Sequence, residues 1–343
     1  MSDYEPKVIM ITGGAGFIAS HVVIHFVKNY PQCRIINIDK LDYCSSLKNL
    51  AEIENAPNYK FYIADITDSH TMKKIFEIEH IDTVRHFAAQ THVDNSFGNS
   101  FQFTHNNIYG THVLLEIAKK VNIKRFIHVS TDEVYGQVIG DAATENSLLN
   151  PTNPYSATKA GAEFLAKAFY QSFGLPLIIT RGNNVFGPHQ FPEKLIPKFI
   201  TLLDRGMNCP IHGNGDEKRS FIYVQDVVNA FDLILKKGIV GEVYNIGTTR
   251  EISNLEVSHA LMKIFSIPEE KYEERLYHVK NRCFNDQRYS LDVSKLEQLG
   301  WKATTSFEEG LQKTVEWYLT HRDNWERTDE ALVAHPRFGQ KEL

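Results

Sequence analysis

Positive charge is not in excess in this sequence. Its 37 Lys and Arg stand against 42 Asp and Glu, a net charge of −5, so there is no basic footprint for a nucleic-acid partner. Cysteine is scarce. The four present, Cys33, Cys44, Cys209 and Cys283, are scattered and form no C-x-x-C pair, so the simplest account is a reduced cytosolic chain without a disulfide framework. The 15 histidines form no H-E-x-x-H or similar cluster, and no structural or catalytic metal is indicated. Internal repeats and low-complexity segments are absent. One long stretch, Val8 to Val27, lacks Asp, Glu, Lys and Arg and imitates a membrane span or a signal sequence. It carries Gly13, Gly14 and Gly16, then Ser20, His21 and His25, so a strand, a glycine turn and an amphipathic helix explain it better. The terminal Lys-Glu-Leu is no retention signal without a secretory leader. The expectation is a soluble, cytoplasmic protein that engages no membrane.

What is present is ordinary for a globular chain: 42% hydrophobic and 23% charged residues over 343, enough for one large domain or two smaller ones. Val8–Thr12 reads as a buried parallel strand, and Phe17–Val27 as a helix. Between them Gly13 permits a tight turn, Gly16 lets backbone approach a pyrophosphate, and Ala19 lets helix pack on strand. The helix start then faces the phosphates with its positive end. The second strand, Arg34–Ile38, runs into Asp39, an acid placed to accept from a ribose 2′-hydroxyl and to repel a 2′-phosphate. These residues predict a dinucleotide site that prefers NAD to NADP.

Further strand-like runs lie at 60–64, 83–89, 125–130 and 175–180, with helical patterns at 71–78, 101–121 and 155–173 between them. Such alternation predicts an α/β fold, a Rossmann-type doubly wound parallel sheet. Asp65 and Ile66 end one strand where an adenine could lie, although Asp65 could equally cap the helix starting near Ser69. Phe87, Ala88 and Ala89 end the next, their small side chains leaving room for a cofactor or simply closing a strand. Beyond Arg181 the alternation loosens into turn-rich polar segments with short helices at 224–236, 254–265 and 306–319. We expect residues 1–182 to form the NAD-binding domain, with later segments returning to it. Residues 183–320 should form mainly a smaller C-terminal substrate-binding lobe, and 321–343 a polar tail, partly ordered at best. A cleft between the lobes is the expected substrate site.

The chemistry gathers between Ser130 and Lys159. Ser-Thr-Asp-Glu-Val-Tyr-Gly closes a strand, and Asn-Pro-Tyr-Ser-Ala-Thr-Lys opens a helix on which Tyr155 and Lys159, four apart, share a face. An ammonium beside a phenol favours the phenolate, which could take a proton from a sugar hydroxyl. Asp132 and Glu133 suggest more than one proton transfer. Taken alone, Y-x-x-x-K and an Asp-Glu turn fit a solvated surface as well as a site.

Together these motifs resemble the extended short-chain dehydrogenase/reductase superfamily, and within it the nucleotide-sugar 4,6-dehydratases. Gly-Gly-Ala-Gly-Phe-Ile-Ala, the Ser130–Gly136 run, Tyr155-x-x-x-Lys159, Phe191-Pro-Glu-Lys-Leu-Ile-Pro197 and Asp286-x-Arg288-Tyr289 all fit, over roughly residues 6 to 320. The stretches His92–Phe101 and Asn285–Tyr289 are most similar to the N-terminal dehydratase domain of plant UDP-rhamnose synthases. The resemblance implies that Tyr155 deprotonates the glucose O4 hydroxyl, Lys159 holds the ribose, and Thr131 hydrogen-bonds near O4. It implies that Glu133 removes the C5 proton and Asp132 protonates the leaving C6 hydroxyl. Phe17, Ile18, Lys40, Asp65, Ile66, Ala88 and Ala89 would join Gly13, Gly16 and Asp39 at the NAD. His92, Asn184, Glu193, Lys194, Leu195, Arg219, Asn245, Arg288 and Tyr289 would hold the nucleotide diphosphate and sugar, with UDP-glucose favoured over dTDP-glucose. Ala19 replaces the last glycine of the dinucleotide pattern, and Val185 replaces an asparagine of the bacterial dTDP-glucose enzymes.

The activity so implied is a lyase reaction that uses NAD and ends at a 4-keto sugar, with a separate epimerase/reductase downstream. The helices at 101–121 and 155–173 are rich in apolar positions, and in the family they pair two copies into a homodimer. A 4-epimerase on the same fold is the nearest rival, although it needs no acid–base couple at Asp132 and Glu133. A non-catalytic NAD-binding scaffold is a rival of another class.

Overall fold

Ile9 and Ile11 of the first strand enter one hydrophobic cluster and Met10 the other, so this strand is buried on both faces. A strand of that kind needs helices on each side, and the computed structural model, which describes residues 4–281 and 286–336, has them. Cys283, Asn285 and residues 337–343 of the expected tail lie outside the described residues. Six strands alternate with helices through the first half: β1 (Val8–Thr12), β2 (Arg34–Asp39), β3 (Tyr59–Ile63), β4 (Thr83–His86), β5 (Arg125–Thr131) and β6 (Leu177–Gly182). Three more, β7 (Asn184–Phe186), β8 (Cys209–His212) and β9 (Lys218–Tyr223), leave this sheet. β10 (Val243–Ile246) returns to it, and β11 (Glu251–Ser253) and β12 (Leu276–Val279) follow. The large sheet runs β3-β2-β1-β4-β5-β6-β10, every pair parallel. The order reverses at β1 and β4, which opens a crevice at the strands' carboxyl ends. This is the Rossmann-type doubly wound sheet expected from the alternation.

The helices Phe17–Asn29 and Val224–Lys237 cover one face through Val22, Val23, Phe26, Val228, Phe231 and Ile234. Ser69–Glu79, Gly110–Lys120 and Pro154–Phe173 cover the other through Met72, Phe76, Leu114, Ala118, Ala166 and Phe169. Each fully buried aliphatic or aromatic side chain contributes about 1.5–3 kcal/mol. β7, β9 and β11 form a three-stranded sheet and β8 pairs with β12. These strands and the helices Leu195–Asp204, Asn254–Ile264 and Phe307–Thr320 surround a separate core built on Phe199, Ile200, Leu261, Met262 and Leu311. Among the described residues no helix is long and apolar enough to cross a membrane.

Three local differences from the sequence expectation bear on the site. β4 stops at His86, because Ala88 turns its backbone N–H onto the Thr12 hydroxyl (3.2 Å). The helix expected over 101–121 is three pieces, Ser100–Phe103, a π-helical turn Thr104–Tyr109, and Gly110–Lys120. Both Asn106 and Asn107 on the wider turn are buried, and Asn107 donates to the Gln90 carbonyl and the Thr158 hydroxyl, each at 3.0 Å. Finally, the segment after Thr320 folds back along the second lobe. Trp325, Ala331 and Leu332 enter its core, and Asn324 donates to Asn49 at 2.9 Å. The few apolar residues of this segment are unevenly spaced, so they carry no periodic signal.

Candidate active site

The glycine turn is shaped by contact with β4. Gly13 has φ +75°, and a Cβ there would lie 2.9 Å from the Ala88 backbone, so only glycine fits. Gly16 begins the first helix in an extended conformation, and no side chain caps that helix. Its first N–H groups therefore remain open toward a cavity of about 250 Å³ lined by Gly13, Gly16, Phe17 and Ile18. Asp39, Lys40, Asp65, Ile66, Ala88 and Ala89 line the same cavity. Asp39 accepts from Ala15 N (3.0 Å), Leu41 N (2.8 Å) and the Ser45 hydroxyl (3.1 Å), which uses three of about four acceptor positions on a carboxylate. Burial pushes its pKa up. Lys40 sits among Asn106 (3.3 Å), Asp42 and Asp65 (each 3.6 Å). Asp65 closes its own turn on Thr67, while Asp68 caps the Ser69–Glu79 helix.

A second cavity, about 350 Å³, adjoins the first. Tyr155 and the pair Glu193–Lys194 line both, so the two form one cleft between the lobes. Thr131 ends β5 and caps a short 3-10 turn, Asp132–Tyr135, through its hydroxyl on Glu133 N (3.3 Å). Across from that turn, Asn153 caps the Pro154–Phe173 helix with a capping box to Ser156, and Pro154 occupies its first position. The cap's other function is chemical: Asn153 Nδ2 donates to Glu133 Oε2 at 3.0 Å.

The two carboxylates meet different surroundings. Asp132 is buried, accepts from Asn183 Nδ2 (2.9 Å) and from Thr131 (3.2 Å), and has its pKa pushed up to about 7 by burial, with the Glu133 charge adding to the rise. Glu133 is only partly buried. Around neutral pH Asp132 can thus carry a proton, with a second carboxyl group next to it in the chain.

Tyr155 departs from expectation. Burial pushes its pKa up, with Glu133 and Asp132 adding to the rise, and only a hydrogen bond with Thr131 lowers it. Lys159 is not among the groups that shift it, and its ammonium donates to the Val129 carbonyl at 2.6 Å. Burial lowers the pKa of Lys159 to about 8. Spacing on a helix brought the two side chains into one cavity, but the strand carbonyl competes for the ammonium.

Of the expected substrate residues, His92, Asn184, Glu193, Lys194, Leu195, Arg219 and Tyr289 line the larger cavity with the catalytic candidates. Tyr43 donates to Glu193 (2.9 Å), and the Arg219 guanidinium lies 4.7 Å over the Tyr289 ring. Asn245 and Arg288 do not line it. Asn245 is fully buried, accepts from the Tyr135 hydroxyl (2.8 Å), and donates to the Ala143 and Asp292 carbonyls (3.0 Å each). Arg181 holds the same tyrosine (2.7 Å) and the buried Glu163, so Asn245 steadies the turn that carries Asp132 and Glu133. Arg288 ties Glu251 to the Gly140 carbonyl, each at 2.6 Å. Sequence reasoning missed Asn183 and Asn153, which hold the carboxylates, and Asp286, which lines the cavity beside Tyr289. Asn153 had a signal, being the residue that a proline-led helix needs at its cap. Nothing local distinguishes Asn183 from any loop asparagine.

A doubly wound sheet with an open helix N-terminus at its switch point, and titratable side chains packed beside it, defines a Rossmann-type protein of the short-chain dehydrogenase/reductase kind. The chain belongs to the GDP-mannose 4,6 dehydratase family, whose sequence pattern matches residues 10–314. It is 56% identical over 341 residues to the trifunctional UDP-glucose 4,6-dehydratase/UDP-4-keto-6-deoxy-D-glucose 3,5-epimerase/UDP-4-keto-L-rhamnose-reductase of Arabidopsis thaliana, covering 98% of this chain and 51% of that protein. It is 48% identical over 332 residues to the dTDP-D-glucose 4,6-dehydratase of Mus musculus, covering 96% of this chain and 94% of that one. Among solved structures, the dTDP-glucose 4,6-dehydratase of Streptomyces venezuelae, crystallised with NAD, superposes with a TM-score of 0.89 at 38% identity, over 94% of this chain and 99% of that one. The chain spans about half the length of the plant proteins it matches.

Proposed function

We propose that this chain is an NAD-dependent 4,6-dehydratase that converts UDP-glucose to UDP-4-keto-6-deoxyglucose. The observation that carries the reading is the unequal treatment of two adjacent carboxylates: Asp132 buried with its pKa at about 7, and Glu133 partly exposed on Asn153. A 4-epimerase has no use for such a couple, and a binding scaffold has no use for a buried acid that burial penalises.

The residues present fit NAD. The N–H groups that follow Gly16 are not claimed by a side-chain cap, and the fourth acceptor position on Asp39 suits a ribose hydroxyl. Gly13, Phe17, Ile18, Lys40, Asp65, Ile66, Ala88 and Ala89 complete its cavity, and Lys159, which lines it too, would hold the ribose. Bound NAD supplies a hydride acceptor at C4 and then a hydride donor at C6, and so ends as it began.

The chain's own groups move the protons. Tyr155, as the phenolate, takes the O4 proton as C4 becomes a ketone, with the Thr131 hydroxyl beside it and Lys159 lining the same cavity. The ketone makes the C5 hydrogen acidic, because the carbanion is an enolate. Glu133 removes that hydrogen while Asp132 gives its proton to O6, and water leaves. Glu133 then returns a proton to C5. Arg219 and Lys194 suit the diphosphate, since guanidinium and ammonium bind phosphate oxygens.

UDP-glucose is preferred over dTDP-glucose on the greater likeness to the plant proteins. The second reading, dTDP-glucose, is favoured by the animal relatives. One methyl separates the two bases, worth about 0.8 kcal/mol. On this reading the chain acts as a homodimer, and its keto sugar is the substrate of an epimerase/reductase activity. Incubation of the purified protein with each nucleotide sugar, followed by mass analysis, tests this. Loss of one water from UDP-glucose is the expected result. Interconversion with the 4-epimer, or no change to either sugar, contradicts the reading.

A further inference from the structure

The segment after Thr320 does more than fill the second lobe's core. Its anchors, Trp325, Ala331 and Leu332, are buried there. The next residues turn toward the substrate cavity, and Ala334 forms part of its wall. Two other residues of that wall hold this stretch by its backbone, and a third stands beside His335. Lys198 Nζ donates to the Val333 carbonyl (2.7 Å), His212 Nε2 lies 2.9 Å from the Ala334 carbonyl, and Asp94 Oδ2 lies 3.9 Å from His335 Nδ1. The His212 and His335 rings lie 4.4 Å apart, and His335 reaches the Lys280 carbonyl (3.0 Å). So the Val333–His335 stretch bridges two sides of the cavity: Asp94 from the Rossmann lobe, and His212 and Lys198 from the second lobe. The family pattern ends at residue 314, short of this stretch.

We infer that Val333–His335 is a strap that completes the substrate site from the second-lobe side and positions the nucleotide half of the substrate. The inference rests on the nucleotide-sugar reading above. Asp132, Glu133 and Tyr155 claim the hexose at the end of β5. What remains of the cavity, between Leu195, Phe199, Ile211 and His212, must take the diphosphate and base, and this is where Ala334 stands. Ala334 is therefore a positioning residue, and its contribution is to ground-state binding rather than to proton transfer.

Two variants test the strap. Ala334→Phe keeps every tether and pushes a ring into the cavity. A chain ended after Leu332 keeps the buried anchors and removes the wall. In both, KM for UDP-glucose rises by about tenfold while kcat stays within about twofold, since uniform binding is lost. The dissociation constant of UDP, measured by calorimetry, rises by the same factor, and the unfolding midpoint of Ala334→Phe stays at the wild-type value. An unchanged KM and UDP affinity in Ala334→Phe overturns the strap. So does a loss of kcat and stability together without a change in KM, which marks a structural role only. Failure of the wild-type chain to dehydrate either nucleotide sugar is a different outcome, and contradicts the functional reading on which the strap depends.

Discussion

Asp132→Asn tests whether the buried acid is held at a cost to the fold. The carboxyl's pKa is about 7 in the folded chain against an ordinary value of 3.8. Below pH 3.8 it is protonated in folded and unfolded chains alike, and the burial costs nothing. Between 3.8 and 7 the unfolded chain gives up the proton first, so wild-type stability falls as pH rises. Above 7 both states are ionised and the penalty is constant, at about 4 kcal/mol from 1.36 kcal/mol per pKa unit. An asparagine has nearly the same shape, still accepts from Asn183 and does not titrate. The weaker bond from Asn183 to a neutral amide offsets part of the gain, leaving a net stabilisation of about 2–4 kcal/mol at pH 8. Urea unfolding of wild type and variant at pH 4, 6 and 8 measures it. The variant's advantage should be near zero at pH 4, grow through pH 6 and level off above 7. A difference that is flat across this range, or a variant less stable at pH 8, refutes the reasoning.

Tyr155→Phe should lower turnover by at least the 10²–10⁴-fold typical of a general base, because a ring without the hydroxyl cannot take the O4 proton; near-normal rates would remove Tyr155 from the mechanism. NAD should raise the unfolding midpoint in a thermal-shift assay and NADP should not, because Asp39 is an acid where a 2′-phosphate would sit; equal shifts would count against Asp39. Light scattering at micromolar concentration should give a dimer. The exposed Phe101, Phe164 and Phe173 lie on the helical layer expected to pair, and Phe164→Glu should shift the mass toward a monomer. Wild type running as a monomer would contradict that surface.

The large sheet was legible because its strands are continuous apolar runs and its helices carry a helical period. β1 is the expected 8–12, and the Pro154–Phe173 helix is announced by an asparagine and a proline at its start. Less legible was anything that depends on a neighbour distant in sequence. β7 is three residues long within a turn-rich loop, and its pairing with β9 is what makes it a strand. The π-helical turn at Thr104–Tyr109 breaks an otherwise regular helical pattern to bury two asparagines against Gln90 and Thr158. At the site, Thr131, Asp132, Glu133 and Tyr155 line one cavity. Spacing gave no hint that Lys159 would donate to Val129, or that Asn245 would hold Tyr135 instead of lining the cleft. Each outcome was decided by a backbone carbonyl or a buried hydroxyl contributed by another element.

The division of labour between the two carboxylates is the centre of this account, and deuterium at C5 measures it most directly. Each of Asp132→Asn and Glu133→Gln is incubated with NAD and UDP-glucose in deuterated water, and the recovered nucleotide sugar is analysed for C5 deuterium and for loss of water. Neither change touches Tyr155 or Lys159, so both variants can still oxidise C4. Asp132→Asn should incorporate deuterium at C5 while losing no water, because Glu133 remains a base and an amide is a far weaker acid toward O6. Glu133→Gln should incorporate deuterium very slowly, and its water loss should fall with it. The same exchange in both variants, or normal water loss from Asp132→Asn, would contradict the assignment of the acid and the base.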